Sequence, residues 1–209
     1  MIVLGITGGT GAGKTSALRV LEELGVSLID CDALYYEMLQ AGTPLHTAIG
    51  EAFGQDMFDE AGQLNRQKLG ALVFTQPEQL TKLNEIIYRH LGDEIAHRVE
   101  ECRRRALRAV AVDGINMIQA RQAGIFQCDC MVGVVAPDAL RLQRIMKRDG
   151  ISADYAQKRI DAQPGNEFYL EHCDAVLENV YESQERFEEA AKIFFENLIH
   201  LYEKEKNDG

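Results

Sequence analysis

Disulfide patterns, export signals and long apolar runs are all missing from this sequence. The five cysteines form no C-x-x-C pair, no basic and apolar signal segment opens the chain, and no apolar run approaches membrane-spanning length. Zinc usually needs four ligands, and no second cluster of Cys or His accompanies Cys128 and Cys130. These absences favour reduced thiols in a core and predict a cytoplasmic protein without a membrane partner.

Acidic residues outnumber basic ones. The 209 residues contain 22 Lys and Arg against 33 Asp and Glu, which gives a net charge of −11. Such a surface repels nucleic acid, so we expect none as a partner, and we expect a monomer or a weak homo-oligomer. The 46% hydrophobic content is ordinary for a globular core, and the length fits one domain that carries a sizeable insertion.

A glycine-rich loop near the N-terminus satisfies G-x-x-x-x-G-K-[ST] between an apolar run at 2–6 and a helical leucine pattern. That strand–loop–helix context predicts a P-loop, whose backbone N–H groups and helix dipole hold phosphates. Lys14 is expected to reach the β- and γ-phosphates, and the Thr15 hydroxyl to ligate Mg²⁺. The predicted nucleotide-binding residues are Gly8, Gly9, Thr10, Gly11, Ala12, Gly13, Lys14, Thr15 and Ser16.

The order of apolar runs and helical patterns predicts a doubly wound α/β fold. Strands are predicted near 2–7, 26–30, 109–113, 129–135 and 174–178, and helices near 14–24, 138–147 and 183–205. The long interval between the second and third strands carries helical patterns near 33–41, 44–53, 65–75 and 77–107, which indicates a helical insertion. Ligands of such folds bind at the carboxyl ends of the strands.

Two acidic residues, Asp30 and Asp32, close the second predicted strand. Because alternate strand residues share a face, both carboxylates could project towards the site. In a kinase with a hydroxyl acceptor, a carboxylate there orients the hydroxyl and takes its proton. The alternative is a helix N-cap, since Asp is a favoured capping residue and a helix is predicted to begin at Asp32 or Ala33.

Asp113 ends the third predicted strand and resembles the Mg²⁺-holding carboxylate of a Walker B element. An acidic turn before Gly114 is the alternative. After the fourth strand, Arg141, Arg144 and Arg148 recur at three- and four-residue spacing and therefore share a helix face. Arginine suits the charge that develops on a transferring phosphoryl group, although a solvated basic face near a helix C-terminus would look similar.

The order of these segments resembles the dephospho-CoA kinase family. The P-loop corresponds to the family's I-T-G-G-x-G-S-G-K-S, and Asp30-Cys31-Asp32 to its D-A-D. Several further segments follow in family order: Phe53-Gly54, Gly62-x-Leu64-x-Arg66-x-x-Leu69-x-x-x-Val73-Phe74, Leu83-Asn84, Arg144 with Arg148, Arg159-Ile160-x-x-Gln163, and Asp174-x-Val176-x-x-Asn179.

The resemblance implies a P-loop NTPase fold of three layers, with about five parallel strands, a helical acceptor-binding insertion at 33–107 and a lid at 141–172. It implies phosphorylation of the ribose 3′-hydroxyl of dephospho-CoA, with ATP and Mg²⁺ as cofactors. In that reading Lys14, Arg144 and Arg148 act on the phosphates and Asp32 is the base. The expected substrate-binding residues are Asp32, Arg66, Tyr88 and Asp113, and the expected metal ligands are Thr15 and Asp113.

The sequence departs from the family pattern in three places. Tyr88-Arg89 replaces a His-Pro, the segment 114–119 retains none of V-P-L-L-[FL]-E after Asp113, and a basic stretch is replaced at 167–172. These departures leave two alternatives open: a kinase for another nucleoside or nucleotide acceptor, and an ATP-binding regulator that has lost phosphoryl transfer. No N-K-x-D sequence for guanine recognition occurs.

Overall fold

The computed structural model describes the backbone of residues 1–208 and the side chains of residues 1–206. The chain forms two compact units. One consists of Met1–Ile29 together with the chain from Val99 onward, and the other is Asp30–Arg98.

The first unit contains, apart from Asp30, a five-stranded sheet built from β1 (Ile2–Gly8), β2 (Ser27–Asp30), β3 (Ala109–Asp113), β4 (Cys130–Val135) and β5 (Ala175–Glu178). The strand order is β2-β3-β1-β4-β5, and β1 pairs in parallel with both β3 and β4, as β4 does with β5. The order therefore reverses at β1, so the carboxyl end of this central strand opens into the crevice where doubly wound folds bind ligands. The predicted doubly wound fold is confirmed.

Ten α-helices lie within the described residues: α1 (Lys14–Glu23), α2 (Cys31–Met38), α3 (Pro44–Phe53), α4 (Arg66–Thr75), α5 (Pro77–Arg104), α6 (Met117–Gln122), α7 (Asp138–Asp149), α8 (Ala153–Asp161), α9 (Asn166–His172) and α10 (Gln184–Asp208). A short 3₁₀ turn occupies Gln55–Met57. No helix in the part of the chain that the structure describes is long and apolar enough to cross a membrane.

The core of the first unit lies between the sheet, α1 and α10. All seven residues of β1 are buried, as expected for a central strand of a parallel sheet covered on both faces. From α10, Phe187 and Phe195 are almost completely buried in the same cluster. Burying one such side chain contributes about 1.5–3 kcal/mol, so α10 stabilises the strand that leads into the P-loop.

The unit Asp30–Arg98 has its own apolar cluster, which includes Leu45, Ile49 and Leu69. Its helices begin at residues that satisfy free backbone N–H groups. The Thr43 hydroxyl accepts from the N–H of His46 at the start of α3, and the Asn65 side chain accepts from the N–H of Lys68 at the start of α4. Such caps each stabilise a helix by about 1 kcal/mol. The helices of this unit are therefore stabilised by local hydrogen bonds as well as by packing.

Candidate active site

The P-loop lies between the end of β1 and the start of α1. Gly13 caps α1 with a left-handed φ of 108°, and Gly11 has a φ of 76°, a region that side-chain-bearing residues rarely adopt. A Cβ atom on Gly11 would also lie 2.8 Å from the backbone oxygen of Arg141. Both glycines are therefore required by the backbone path that leads the loop into α1, whose N-terminus faces the loop.

Two side chains hold the peptide groups of Thr10. Nε of Arg141, from α7, donates to the Thr10 carbonyl at 2.9 Å. Oε1 of Gln163, just beyond α8, accepts from the Thr10 N–H at 2.7 Å. The backbone donor and acceptor of this loop residue are thus both bonded to side chains that come from the 141–172 segment.

The next two carbonyls of the loop are held in the same way. Nη1 of Arg144 donates to the carbonyls of Gly11 at 3.2 Å and Ala12 at 3.4 Å, and Nδ2 of Asn179 donates to the carbonyl of Ala12 at 2.9 Å. Nη2 of Arg144 also donates to Asn179 Oδ1 at 3.0 Å and to the Tyr181 carbonyl at 2.7 Å. The Arg144 guanidinium is therefore occupied by four oxygen acceptors, and burial lowers its pKa.

Peptide planarity turns these contacts into an orientation of the loop's donors. In a trans peptide the carbonyl and the following N–H point in opposite directions. A hydrogen bond that fixes the carbonyl of Thr10 or Ala12 therefore also fixes the following N–H, of Gly11 or Gly13, in the direction opposite to that carbonyl. Backbone donors fixed in this way can form part of an anion-binding cradle.

The Lys14 ammonium contacts the Asp113 carboxylate. Nζ lies 2.6 Å from Oδ2 and also contacts Oδ1, and the two side chains are only 21% and 11% exposed. Asp113 is the last residue of β3 and pairs in register with Ile6 of β1, so adjacent strands place the lysine and the carboxylate at the same edge of the sheet. Asp113 therefore lies beside the P-loop lysine, where the carboxylate of a Walker B element is expected, and this contact is not needed for a simple acidic turn before Gly114.

The first turn of α2 corrects the interpretation of Asp30 and Asp32. The strand ends at Asp30 and the helix begins at Cys31, one or two residues earlier than the predicted start at Asp32 or Ala33, so the two carboxylates are not alternate residues of one strand. Asp30 is the N-cap, and its Oδ1 accepts from the N–H of Asp32 at 2.9 Å and of Ala33 at 3.0 Å. The Asp32 side chain lies exposed in the first turn, with no capping bond of its own.

Arg148 lies apart from the contacts made by Arg144. Its guanidinium forms two parallel hydrogen bonds with the carboxylate of Asp149, at 2.7 and 2.9 Å, and Arg159 contacts the same carboxylate. These hydrogen bonds, with Arg148 contributing most, lower the pKa of Asp149 to about 2. The Asp149 carboxylate therefore stays ionised at neutral pH and pairs with Arg148 at the exposed end of α7.

A cavity of about 660 Å³ adjoins the P-loop. Gly13 and Ser16 line it from the start of α1, and Arg144 and Arg148 line it from α7. The segment that connects β5 to α10 supplies much of the remaining wall: Asn179, Glu182, Ser183 and Gln184. The cavity is large enough for a nucleoside and opens beside the loop that would hold its phosphates.

A smaller and a larger cavity are among those lined by residues of the unit Asp30–Arg98. The smaller, about 160 Å³, is lined by polar groups that include Gln40, Gln63 and Arg66, and the Arg66 guanidinium lies 4.5 Å from the centre of the Tyr36 ring. The larger, about 480 Å³, includes residues from α2 and α5: Glu37, His90, Asp93, Glu94 and Arg98 among others. Tyr88, also on α5, is 40% exposed. The predicted substrate-binding Arg66 thus lines a pocket.

Three cysteines, Cys128, Cys130 and Cys173, carry thiols that burial makes weaker acids. Desolvation raises the pKa of Cys128 and of Cys130 to about 11, and that of Cys173 to about 12. Within the described residues, no group of three or more His, Cys, Asp or Glu side chains could hold a metal ion. Thiols that stay protonated are poor nucleophiles.

Comparison with known proteins decides the family. A family model described as dephospho-CoA kinase matches residues 2–185. The chain belongs to the dephospho-CoA kinase family. Two similar members are the dephospho-CoA kinases of Dehalococcoides mccartyi, 34% identical over 86% of this chain and 89% of the relative, and of Enterococcus faecalis, 32% identical over 94% and 97%.

Solved structures agree with the dephospho-CoA kinase assignment at the level of the fold. A Thermus thermophilus protein is 26% identical, with a TM-score of 0.71 over 96% of this chain and 97% of that one. Dephospho-CoA kinase from Campylobacter jejuni has a TM-score of 0.59 at 19% identity, covering 93% and 96%. A shikimate kinase from Acinetobacter baumannii, with a TM-score of 0.52 at 18% identity, covers 99% and 95%. This chain therefore has the predicted P-loop NTPase fold.

Proposed function

We propose that this protein transfers the γ-phosphoryl group of ATP to the ribose 3′-hydroxyl of dephospho-CoA. Membership of the dephospho-CoA kinase family supports the reaction. The structural observation that supports it is the P-loop at the carboxyl end of the central strand, whose carbonyls at Thr10, Gly11 and Ala12 accept hydrogen bonds from side chains outside the loop. The bonds to Thr10 and Ala12 fix the N–H groups of Gly11 and Gly13 before an anion binds, and such preorganisation is what phosphoryl transfer needs.

The triphosphate of ATP would lie on the P-loop amides, with Lys14 as the nearest mobile cation. The cavity beside Gly13 and Ser16 would take the nucleoside. The Thr15 hydroxyl and the Asp113 carboxylate are hard oxygen donors of the kind Mg²⁺ prefers, so they fit as its protein ligands. When bound, Mg²⁺ would neutralise charge on the β- and γ-phosphates.

The acceptor would bind to the unit Asp30–Arg98, which contains most of the predicted insertion at 33–107. Asp32, exposed in the first turn of α2, would orient the 3′-hydroxyl and accept its proton. Arg66 and Tyr88 would contact the acceptor. An arginine stacked on an aromatic ring, as Arg66 is on Tyr36, keeps its outer donors available for a phosphate.

The segment 141–172 would act as the lid. Arg148, at the end of α7, has a side chain that is 59% exposed and pairs with the adjacent Asp149, so it is the arginine we assign to the transferring phosphoryl oxygens. Arg144 would act mainly through the P-loop carbonyls that it holds. Positioning and charge stabilisation then supply most of the rate enhancement.

The decisive experiment is ADP release from Mg-ATP by the purified protein, with and without dephospho-CoA, with Lys14→Ala as the blank. We expect release that requires dephospho-CoA and disappears in the variant. A product analysis should place the new phosphate on the 3′-oxygen. Binding of ATP with no release for dephospho-CoA would contradict the proposal, and a panel of nucleosides and nucleotides would then identify or exclude another acceptor.

A further inference from the structure

Arg141 is a buried charge behind the P-loop. Only 1% of its surface is exposed, although its guanidinium is permanently charged. Nε donates to the Thr10 carbonyl and Nη1 donates to Oδ1 of Asp138 at 3.0 Å. Nη2 is buried and has no hydrogen-bond acceptor anywhere in residues 1–206, where side chains are described.

The unpartnered Nη2 lies against the backbone of the loop. A Cβ atom built on Gly9 would lie 2.6 Å from Nη2 and 3.5 Å from Oε1 of Gln163. The guanidinium thus occupies the space that a side chain at position 9 would need. Its one carboxylate contact within the described residues, Asp138, has a side chain 62% exposed, so water screens much of that attraction.

Such an arrangement is costly for the folded state. A buried charge with an unsatisfied donor is generally less favourable than an apolar side chain of the same volume. The cost is offset if a second anion binds close by, because attraction between buried charges is weakly screened. The P-loop is where such an anion would sit, on the other side of the peptides that Arg141 holds.

We propose that Arg141 is a positioning residue for the nucleotide. It holds the Thr10–Gly11 peptide with its carbonyl turned away from the phosphates and the Gly11 N–H turned towards them, and it places a permanent positive charge behind the loop. ATP affinity then depends on Arg141 far more than the phosphoryl-transfer step does. This inference depends on one part of the proposed function, the binding of ATP at the P-loop, and not on the identity of the phosphoryl acceptor.

The test compares three variants of the full chain. Arg141→Met keeps the length of the stem and removes the charge and all donors, whereas Arg141→Lys keeps the charge and one donor group. Lys192→Met, at an exposed position of α10, is the control for the change in net charge. The readouts are the Kd for Mg-ATP and Mg-ADP by calorimetry, kcat and KM for both substrates, and the thermal midpoint.

We expect Arg141→Met to weaken ATP and ADP binding alike by about tenfold or more, the effect of losing a charge-assisted hydrogen bond. We expect kcat to change less than about threefold, the KM for dephospho-CoA to stay the same, and the thermal midpoint not to fall. Arg141→Lys should recover most of the ATP affinity. Lys192→Met should behave like the parent protein in every readout.

Two outcomes would overturn the inference. If Arg141→Met binds ATP as tightly as the parent protein, the residue does not position the nucleotide. If ATP affinity, dephospho-CoA affinity and the thermal midpoint all fall together, Arg141 is only structural. Failure of the proposed reaction is a separate result: a protein that binds ATP without phosphorylating dephospho-CoA still allows the Kd comparison to judge Arg141.

Discussion

The Lys14 ammonium donates hydrogen bonds to both carboxylate oxygens of Asp113, so a residue of the neighbouring strand β3 positions the lysine of the P-loop. Both side chains are largely buried. In the proposed reaction, a triphosphate on the loop would bring new negative charge to Lys14, and we expect the lysine to exchange or share its partner. This pair would then link the stability of the free protein to the binding of nucleotide.

The first prediction concerns this pair. Asp113→Asn leaves Lys14 without its carboxylate in a partly buried place, and we expect a loss of about 1–2 kcal/mol in the free energy of unfolding, between the values for exposed and buried pairs. Urea denaturation of the nucleotide-free protein measures it. Asp56→Asn is the matched control, because Asp56 pairs with Lys68 on the surface and its loss should destabilise the protein less than the loss of Asp113 does. Equal costs for the two variants would contradict the prediction.

The second prediction separates the two acidic residues at the start of α2. Asp32→Asn should lower kcat by about 10²-fold or more, the usual worth of a general base, while the Kd for ATP stays within twofold. Asp30→Asn should keep both activity and stability, because Asn caps a helix as well as Asp does. Steady-state kinetics and calorimetry check both variants. Full activity in Asp32→Asn would exclude Asp32 as the base.

The third prediction tests whether the guanidinium of Arg141 is what requires glycine at position 9. In the parent protein we expect Gly9→Ala to destabilise by about 1–3 kcal/mol, since the new methyl group meets a buried group held by hydrogen bonds. In an Arg141→Met background the same change should cost less than half as much. A double-mutant cycle by urea denaturation gives the coupling, and additive costs would show that something else requires the glycine.

The fourth prediction follows from the thiols. The unfolded chain ionises its cysteines near pH 8.5, whereas burial raises the pKa of Cys173 to about 12 in the folded protein. The folded state therefore holds its proton more tightly. This contribution to stability is complete below about pH 8.5 and is lost as the pH rises towards 12.

Urea denaturation at pH 7.5 and pH 10 measures this loss. The free energy of unfolding of the parent protein should fall over that interval more steeply than that of Cys173→Ala. Cys102→Ala is the control for removal of a buried thiol from the same unit. An equal fall in the parent and in Cys173→Ala would mean that other groups cause all of the pH dependence.

Much of the fold could be predicted because local and global signals agree. The strands of the sheet begin and end within a residue or two of the predicted bounds, and α3 coincides with the predicted 44–53. Capping residues and apolar periodicity are both readable in a sequence. The short helices α6, α8 and α9 were not predicted, since six to nine residues show too little periodicity to separate a helix from a loop.

The site shows where sequence patterns stop being informative. The motif correctly located the turn of the loop and the start of α1 at Lys14. The residues that hold the loop, among them Arg141, Gln163 and Asn179, are distant from it in sequence and act on its backbone, so no spacing rule connects them with it. The strand interpretation of Asp30 and Asp32 was wrong because Asp30 ends the strand by capping a helix.

The side chains that hold the P-loop donate hydrogen bonds to main-chain carbonyl oxygens, which every amino acid has. Arg141, Arg144 and Asn179 therefore recognise the path of the loop and not the identity of Thr10, whose own side chain makes none of these contacts. A substitution at Thr10 therefore leaves these contacts available, whereas a substitution at Arg141, Arg144 or Asn179 removes them. The side chains that hold the shape of the loop lie on α7 and just after β5, outside the glycine-rich sequence itself.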